Sequence, residues 1–223
     1  MSLVNLEAIL TPAYENNYAI GSFNIINNLF LDPILKSAES KKSPVIISIA
    51  ESHIKYMDFE MIVPNIIHTA QKSTVPIALN FDHGTQFDKI MKAIQLGFTS
   101  IMFDGSNLPY EENIKQTKEI VKICQPLGIS VEAELGAVGR DENGKLQGTA
   151  NPEQFTNPIQ AHDFVKRTGI NALAIAIGNV HGKYKGDPHL NFDLLGAIKE
   201  RTKIPLVLHG GSGISDEDFC RVI

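Results

Sequence analysis

The sequence predicts an α/β fold, and three observations carry that prediction. Short apolar runs alternate along the chain with segments whose apolar residues fall at helical spacing, the pattern of consecutive βα units with parallel strands. The runs are close to continuously apolar, as in Val45-Ile46-Ile47-Ser48-Ile49, which suits a sheet covered on both faces. Most runs end in polar residues and a glycine, among them Asp82-His83-Gly84, Asp104-Gly105 and His209-Gly210. Side chains capable of chemistry therefore collect at the C-terminal ends of the strands.

Asn5 to Tyr14 carries Leu6, Ala8, Ile9 and Leu10 at helical spacing and is expected to cap one end of the fold. Ala19 to Phe23 reads as the first strand, ending at Asn24, and a helix with Leu29, Leu31, Ile34, Leu35 and Ala38 on one face follows. Val45 to Ile49 is the second strand, and Phe59 to Gln71 is helical with Ile62, Ile66, Ile67 and Ala70 as its stripe. The third strand runs into Asp82-His83, where two neighbours on a regular strand would point to opposite faces. They can share one site only if the strand end flares there. Phe87 to Gln95 is a helix closed by Gly97, and Ser100 to Phe103 is the fourth strand. Pro109 to Leu127 is a long helix with Glu111 and Glu112 in its first turn and Gly128 behind it. Ser130 to Gly136 is the fifth strand, with Glu132 and Glu134 on one face. A polar loop from Val138 to about Pro152 follows, of a length that marks a lid or a disordered segment. Pro158 to Arg167 is helical, Ala172 to Ile177 is the sixth strand, Asp193 to Arg201 is helical and the seventh strand ends at His209. Ser215-Asp216-Glu217-Asp218 reads as a capped helix start.

An open doubly wound sheet would carry a glycine-rich phosphate turn after an early strand, and the sequence shows none there. The polar strand ends favour a (β/α)8 TIM barrel, a single domain over residues 1–223. Such a barrel needs eight strands and ~250 residues. Strand eight and the C-terminal helix are therefore expected to be missing from this chain.

Composition narrows the function. With 223 residues, 43% of them hydrophobic and a net charge of −5, the chain has no basic footprint for nucleic acid or an anionic membrane. No window reaches the ~18 apolar residues of a membrane span, and the N-terminus lacks the pattern of a signal peptide. The cytoplasm follows by default. Cys124 and Cys220 lie far apart without metal-type spacing and read as free buried thiols.

His83, His181 and His209 each follow an apolar strand and precede a glycine. One such histidine is ordinary; three on one rim are a catalytic zinc arrangement with an open fourth position. His53, His68, His162 and His189 lack that context and read as surface or helix residues. Asp104, Glu132 and Glu134 are either solvated strand ends or acids that repel one another unless a cation or a lysine sits among them, which makes a second cation position reasonable. Gly210-Gly211-Ser212-Gly213 before a helix start offers backbone N–H groups to a phosphate, or simply makes a tight turn.

These pieces resemble the class II, metal-dependent ketose-bisphosphate aldolases over essentially the whole chain. The matching segments are Ser22-Phe23-Asn24, Phe81 to Gly84, Val131 to Gly136, Gly178 to Gly182 and Leu208 to Gly213. The resemblance implies a zinc-dependent barrel that splits a ketose 1,6-bisphosphate, fructose or tagatose, into dihydroxyacetone phosphate and glyceraldehyde 3-phosphate. It implies His83, His181 and His209 as zinc ligands, and Asp104 and Glu134 at a second position for a divalent or monovalent cation. Asp82 matches the acid/base for the C4 hydroxyl proton, and Glu142 in the polar loop matches the second base. Asn24, Gly182, Gly210, Gly211 and Ser212 match the substrate site. A homodimer or homotetramer is the family habit. The chain departs from the family at Gly139-Arg140, at Ala50 where many relatives carry serine, and in lacking an Asn-x-x-Thr strand. Two rivals stand beside this reading: a barrel metallohydrolase, which would want a His-x-His pair where Ser22-Phe23-Asn24 lies, and a metal-dependent sugar-phosphate binder without turnover.

Overall fold

A computed structural model describes residues 2–139 and 148–223. The chain divides into two compact units, Met1–Asp104 with Lys122–Glu132, and Gly105–Val121 with Ala133–Ile223.

In the first unit, β1 (Leu3–Val4) leads into α1 (Leu6–Glu15), β2 (Ser22–Asn24), α2 (Asn28–Lys41) and β3 (Val45–Ala50). A 3-10 turn, Glu51–Tyr56, precedes α3 (Phe59–Ala70), β4 (Ile77–Gly84), α4 (Phe87–Leu96) and β5 (Ser100–Phe103). Short polar side chains start the helices as capping chemistry dictates. Asn5 accepts from the Ala8 N–H, Asn27 from Leu29 and Asp58 from Met61. β2 to β5 pair in sequence order and all in parallel. β1, a strand the sequence did not reveal, pairs with the start of β4 at Leu3↔Ile77 and Val4↔Ala78. Two residues of ordinary composition give no periodic signal, so pairing alone makes them a strand.

The two faces of these strands differ. Leu79 and Phe81 point one way, and the Phe81 ring packs edge-on to Phe98 at 5.7 Å and against Phe59 of α3 at 6.1 Å. On the other face β4 presents Ala78, Asn80 and Asp82 in succession. Ala78 packs with Ile46 under Leu6 and Ile9 of α1. That helix therefore plugs the N-terminal end of this face, as its spacing led one to expect. One level up, Asn24, Ser48, Asn80 and Ser100 stand in register across four strands. Polar residues replace the apolar ones there, and Asp82 lies above them.

The second unit takes α5 (Tyr110–Cys124) as far as Val121 and the last three residues of β6 (Ser130–Leu135). α6 (Pro158–Thr168), β7 (Ala172–Ile175), α7 (Phe192–Thr202), β8 (Leu206–Val207) and α8 (Asp216–Val222) follow. α6 has Asn157 as N-cap, proline in its first turn and Gly169 in the left-handed region behind it. α5 and α6 are bracketed by Arg167, which pairs with Glu111 at 2.6 Å and with Asp163 at 3.2 Å. β7 and β8 pair in parallel. Both are shorter than their apolar runs, because the residues beyond them turn into loops that carry the histidines. Ser215 caps α8 by accepting from the Asp218 N–H. One sequence reading is corrected here: Cys124 is buried, but Cys220 is exposed. It sits on α8, a two-turn helix with no buried residue. Among the described residues no helix is long and apolar enough to cross a membrane.

Candidate active site

In the first unit the site begins where β4 ends. Asp82 and His83 would diverge on a regular strand, but the register between β4 and β5 shifts between Phe81 and Gly84. His83 takes φ +50°, a left-handed conformation that costs a non-glycine residue about 1–2 kcal/mol. This bulge is the flare that the paired acid and imidazole require. It takes the His83 N–H off the ladder, and that group donates instead to Met102 Sδ at 3.4 Å. It also brings His83 Nε2 to 3.8 Å from Asp82 Oδ1.

Hydrogen bonds from neighbouring strands order the group. Asn24 Nδ2 donates to Asp82 Oδ2 at 2.7 Å, so the end of β2 orients the carboxylate. His83 Nδ1 lies 2.9 Å from Asp104 Oδ2 at the end of β5. An ionised carboxylate can only accept, so an Asp104 carboxylate in that contact takes the Nδ1–H as its donor. Asp82 and Asp104 are both buried. Below the bulge, the buried Glu51 carboxylate accepts from the Thr85 N–H at 2.7 Å and the Gln86 N–H at 3.0 Å. It supplies from another element the cap that Gln86 does not provide for α4.

In the second unit, β7 and β8 end in the loops bearing His181 and His209, whose ring centroids are 5.4 Å apart. Asn179, buried, ties its loop to its own strand and to the next. Its Oδ1 accepts from the Ile177 N–H at 2.9 Å, and its Nδ2 donates to the carbonyls of Ile175 and His209 at 3.2 and 3.0 Å. The Tyr184 hydroxyl accepts from the Val180 N–H and donates to the Gly210 carbonyl, each at 3.1 Å. Gly210 has φ +69°, and a Cβ there would collide with the Val180 carbonyl. Glycine is demanded by conformation and by space together. Gly182 lies beside His181, also at positive φ. Gly211 faces the Phe219 ring, and Ser212 is exposed. Glu134 is fully buried on β6.

The first unit thus gathers Asn24, Asp82, His83 and Asp104, and the second gathers His181 and His209 with Gly182 and Gly210. Glu142 lies outside the described residues. Sequence reasoning missed Glu51, Asn179 and Tyr184. Asn179 stood inside a quoted motif without a role; Glu51 and Tyr184 act through backbone groups, which leave no pattern in a sequence.

Parallel strands tipped with imidazoles, carboxylates and glycine turns define an enzyme of the strand-end type, with its chemistry on the βα loops. Comparison with known proteins narrows that class. The family described as fructose-bisphosphate aldolase class-II matches residues 4–223. The fructose-bisphosphate aldolase of Geobacillus stearothermophilus is 43% identical over 227 residues, covering 100% of this chain and 78% of that protein. The 6-phospho-5-dehydro-2-deoxy-D-gluconate aldolase of Halalkalibacterium halodurans is 40% identical over 226 residues, covering 100% of this chain and 77% of that protein. The crystal structure of the YdjI aldolase from Escherichia coli K12 matches with a TM-score of 0.88 at 40% identity, over 99% of this chain and 77% of that one. The chain belongs to the class-II fructose-bisphosphate aldolase family and is a lyase of that family.

Proposed function

We propose that this chain reversibly cleaves a ketose 1,6-bisphosphate, fructose or tagatose, to dihydroxyacetone phosphate and glyceraldehyde 3-phosphate. The observation that carries the reading is the ordered group at the end of β4, a buried acid beside an imidazole whose far nitrogen is fixed by a second acid. His83, His181 and His209 are the ligands we assign to a zinc ion, with Asp104 and Glu134 at a second cation position. Within the second unit the His181 and His209 rings lie 5.4 Å apart, and within the first Asp104 meets the His83 ring at 2.9 Å, which supports the assignments. The donor chemistry fits zinc: neutral imidazole nitrogens are preferred ligands, and a carboxylate on the other ring nitrogen of one is the usual support. Bound there, zinc supplies Lewis-acid stabilisation of the negative charge that cleavage leaves on the ketone fragment.

The chain's own groups do the rest. Asp82, held by Asn24 Nδ2, accepts the C4 hydroxyl proton as the C3–C4 bond breaks and C4 becomes the aldehyde carbon. The electron pair stays on C3 until that carbon is protonated, a step assigned to Glu142 on the family resemblance. In the condensation direction the same glutamate removes the proton. Backbone N–H groups around Gly182, Gly210 and Gly211, with the Ser212 hydroxyl, are assigned to the phosphate of the dihydroxyacetone fragment. A (β/α)8 barrel, a homo-oligomer and a cytoplasmic setting complete the reading.

The test is cleavage by zinc-loaded protein of fructose 1,6-bisphosphate, tagatose 1,6-bisphosphate and 6-phospho-5-dehydro-2-deoxygluconate, with Asp82→Ala beside wild type. Expected are turnover of one of the two ketose bisphosphates and, in Asp82→Ala, retained zinc with loss of most turnover. Zinc lost together with Asp82 would reassign that residue, and cleavage of the deoxygluconate alone would replace the substrate.

A further inference from the structure

We infer that the Tyr184 hydroxyl is the spacer that sets the separation of the His181 and His209 imidazoles. This deepens the proposed function and rests on it, since it presumes that the two rings hold one metal ion. One oxygen joins the two loops: it accepts from the N–H of Val180, the residue before His181, and donates to the carbonyl of Gly210, the residue after His209, each at 3.1 Å. The hydroxyl thus touches the backbone one residue from each ring. The second tie between the loops, Asn179 Nδ2 to the His209 carbonyl at 3.0 Å, comes from a side chain that also binds two groups around its own strand, Ile175 and Ile177. Asn179 therefore fixes the first loop to β7, while Tyr184 fixes the distance from that loop to the next.

The surroundings suit a spacer. The Tyr184 ring lies against Gly213, where a Cβ would come within 3.4 Å of it. The chain on its far side is tethered by the Lys185 N–H to the Gly148 carbonyl at 2.7 Å. The ring is thus held at its edge and the backbone behind it is tied down. Burial raises the Tyr184 pKa above its ordinary value, so the hydroxyl keeps the proton it donates to Gly210. Tyr184 is a positioning residue: it acts through the backbone flanking two ligands, and its loss belongs with the roughly tenfold to hundredfold effects of residues that orient metal ligands.

The experiment compares wild type with Tyr184→Phe, which keeps the ring and removes only the oxygen. Three quantities are read: Co2+ affinity by chelator competition, the visible spectrum of the Co2+-loaded protein, and amide hydrogen exchange at Val180 in metal-free protein. In Tyr184→Phe we expect faster exchange at Val180, roughly tenfold weaker Co2+ binding, shifted ligand-field bands and an unchanged far-ultraviolet circular dichroism spectrum. Faster exchange with unaltered affinity and spectrum overturns the inference and leaves the proposed function standing. A wild-type chain that takes up no Co2+ sinks the proposed function and the inference together. A Tyr184→Phe chain without its fold also overturns it, because the hydroxyl would then hold the unit together rather than space two ligands.

Discussion

Gly210 and Gly128 form a natural matched pair. Their φ angles are +69° and +70°, but nothing lies within 4 Å of a Cβ on Gly128, whereas a Cβ on Gly210 would strike the Val180 carbonyl. An alanine at either position takes on the left-handed penalty, about 1–2 kcal/mol. Gly128→Ala should lose that and no more. Gly210→Ala must also displace a backbone carbonyl, which cannot swing away as a flexible side chain can. Overpacking of that kind adds about 1–3 kcal/mol. The expected losses are therefore about 1–2 kcal/mol for Gly128→Ala and about 2–5 kcal/mol for Gly210→Ala. Urea denaturation of both variants and wild type, with chelator present to remove linkage to metal binding, measures the difference. Equal losses at unchanged m-value would refute the reasoning, since they would mean that the Val180 loop yields freely and does not constrain the strand end.

Three further predictions concern Asp104 and the two cysteines. Asp104→Asn replaces the carboxylate that faces His83 Nδ1 at 2.9 Å with a group that can also donate, freeing the imidazole to change tautomer. Zinc affinity by chelator competition should fall roughly tenfold to hundredfold, and unaltered affinity would deny Asp104 this role. Burial pushes the Cys124 thiol up to about 11 from 9.0. Between those values the unfolded chain releases the proton while the folded chain keeps it, so stability is full below pH 9 and declines as pH rises toward 11. The loss from this group is about 2–3 kcal/mol; Cys124→Ala should flatten that part of the pH profile in denaturant titrations. A thiol reagent should modify one cysteine of the native protein quickly, Cys220, and the second only on unfolding.

The βα alternation was legible because parallel strands and helices leave different periodicities, and the ends of most elements fell within a residue or two of the glycine, proline and capping signals. Asp82-His83 shows where legibility stops. The pair announces a site, and period-two geometry says that its members cannot share one. The answer is a bulge that no residue in Phe81-Asp82-His83-Gly84 specifies alone, since His83 itself takes the unfavourable φ and the glycine follows it. Glu51 illustrates a second limit: its partners are the backbone amides of Thr85 and Gln86, which any sequence would offer. Cys220 is exposed where the sequence reads a buried thiol, because a helix start says nothing about which side of a short helix is covered.

The layered face of the first unit carries a lesson for anyone who wishes to harden this protein against heat. Between the α1 plug and Asp82 lies the buried Asn80, whose side-chain Oδ1 finds no hydrogen-bond partner among the described residues. That tier is where the fold forgoes apolar packing directly beneath Asp82. Filling it with leucine is the obvious route to a higher melting temperature, and also the one most apt to disturb Asp82. Redesign has safer ground on the opposite side of the same strands, around Phe59 and Phe98, which lie on other elements than the Phe81–Gly84 bulge.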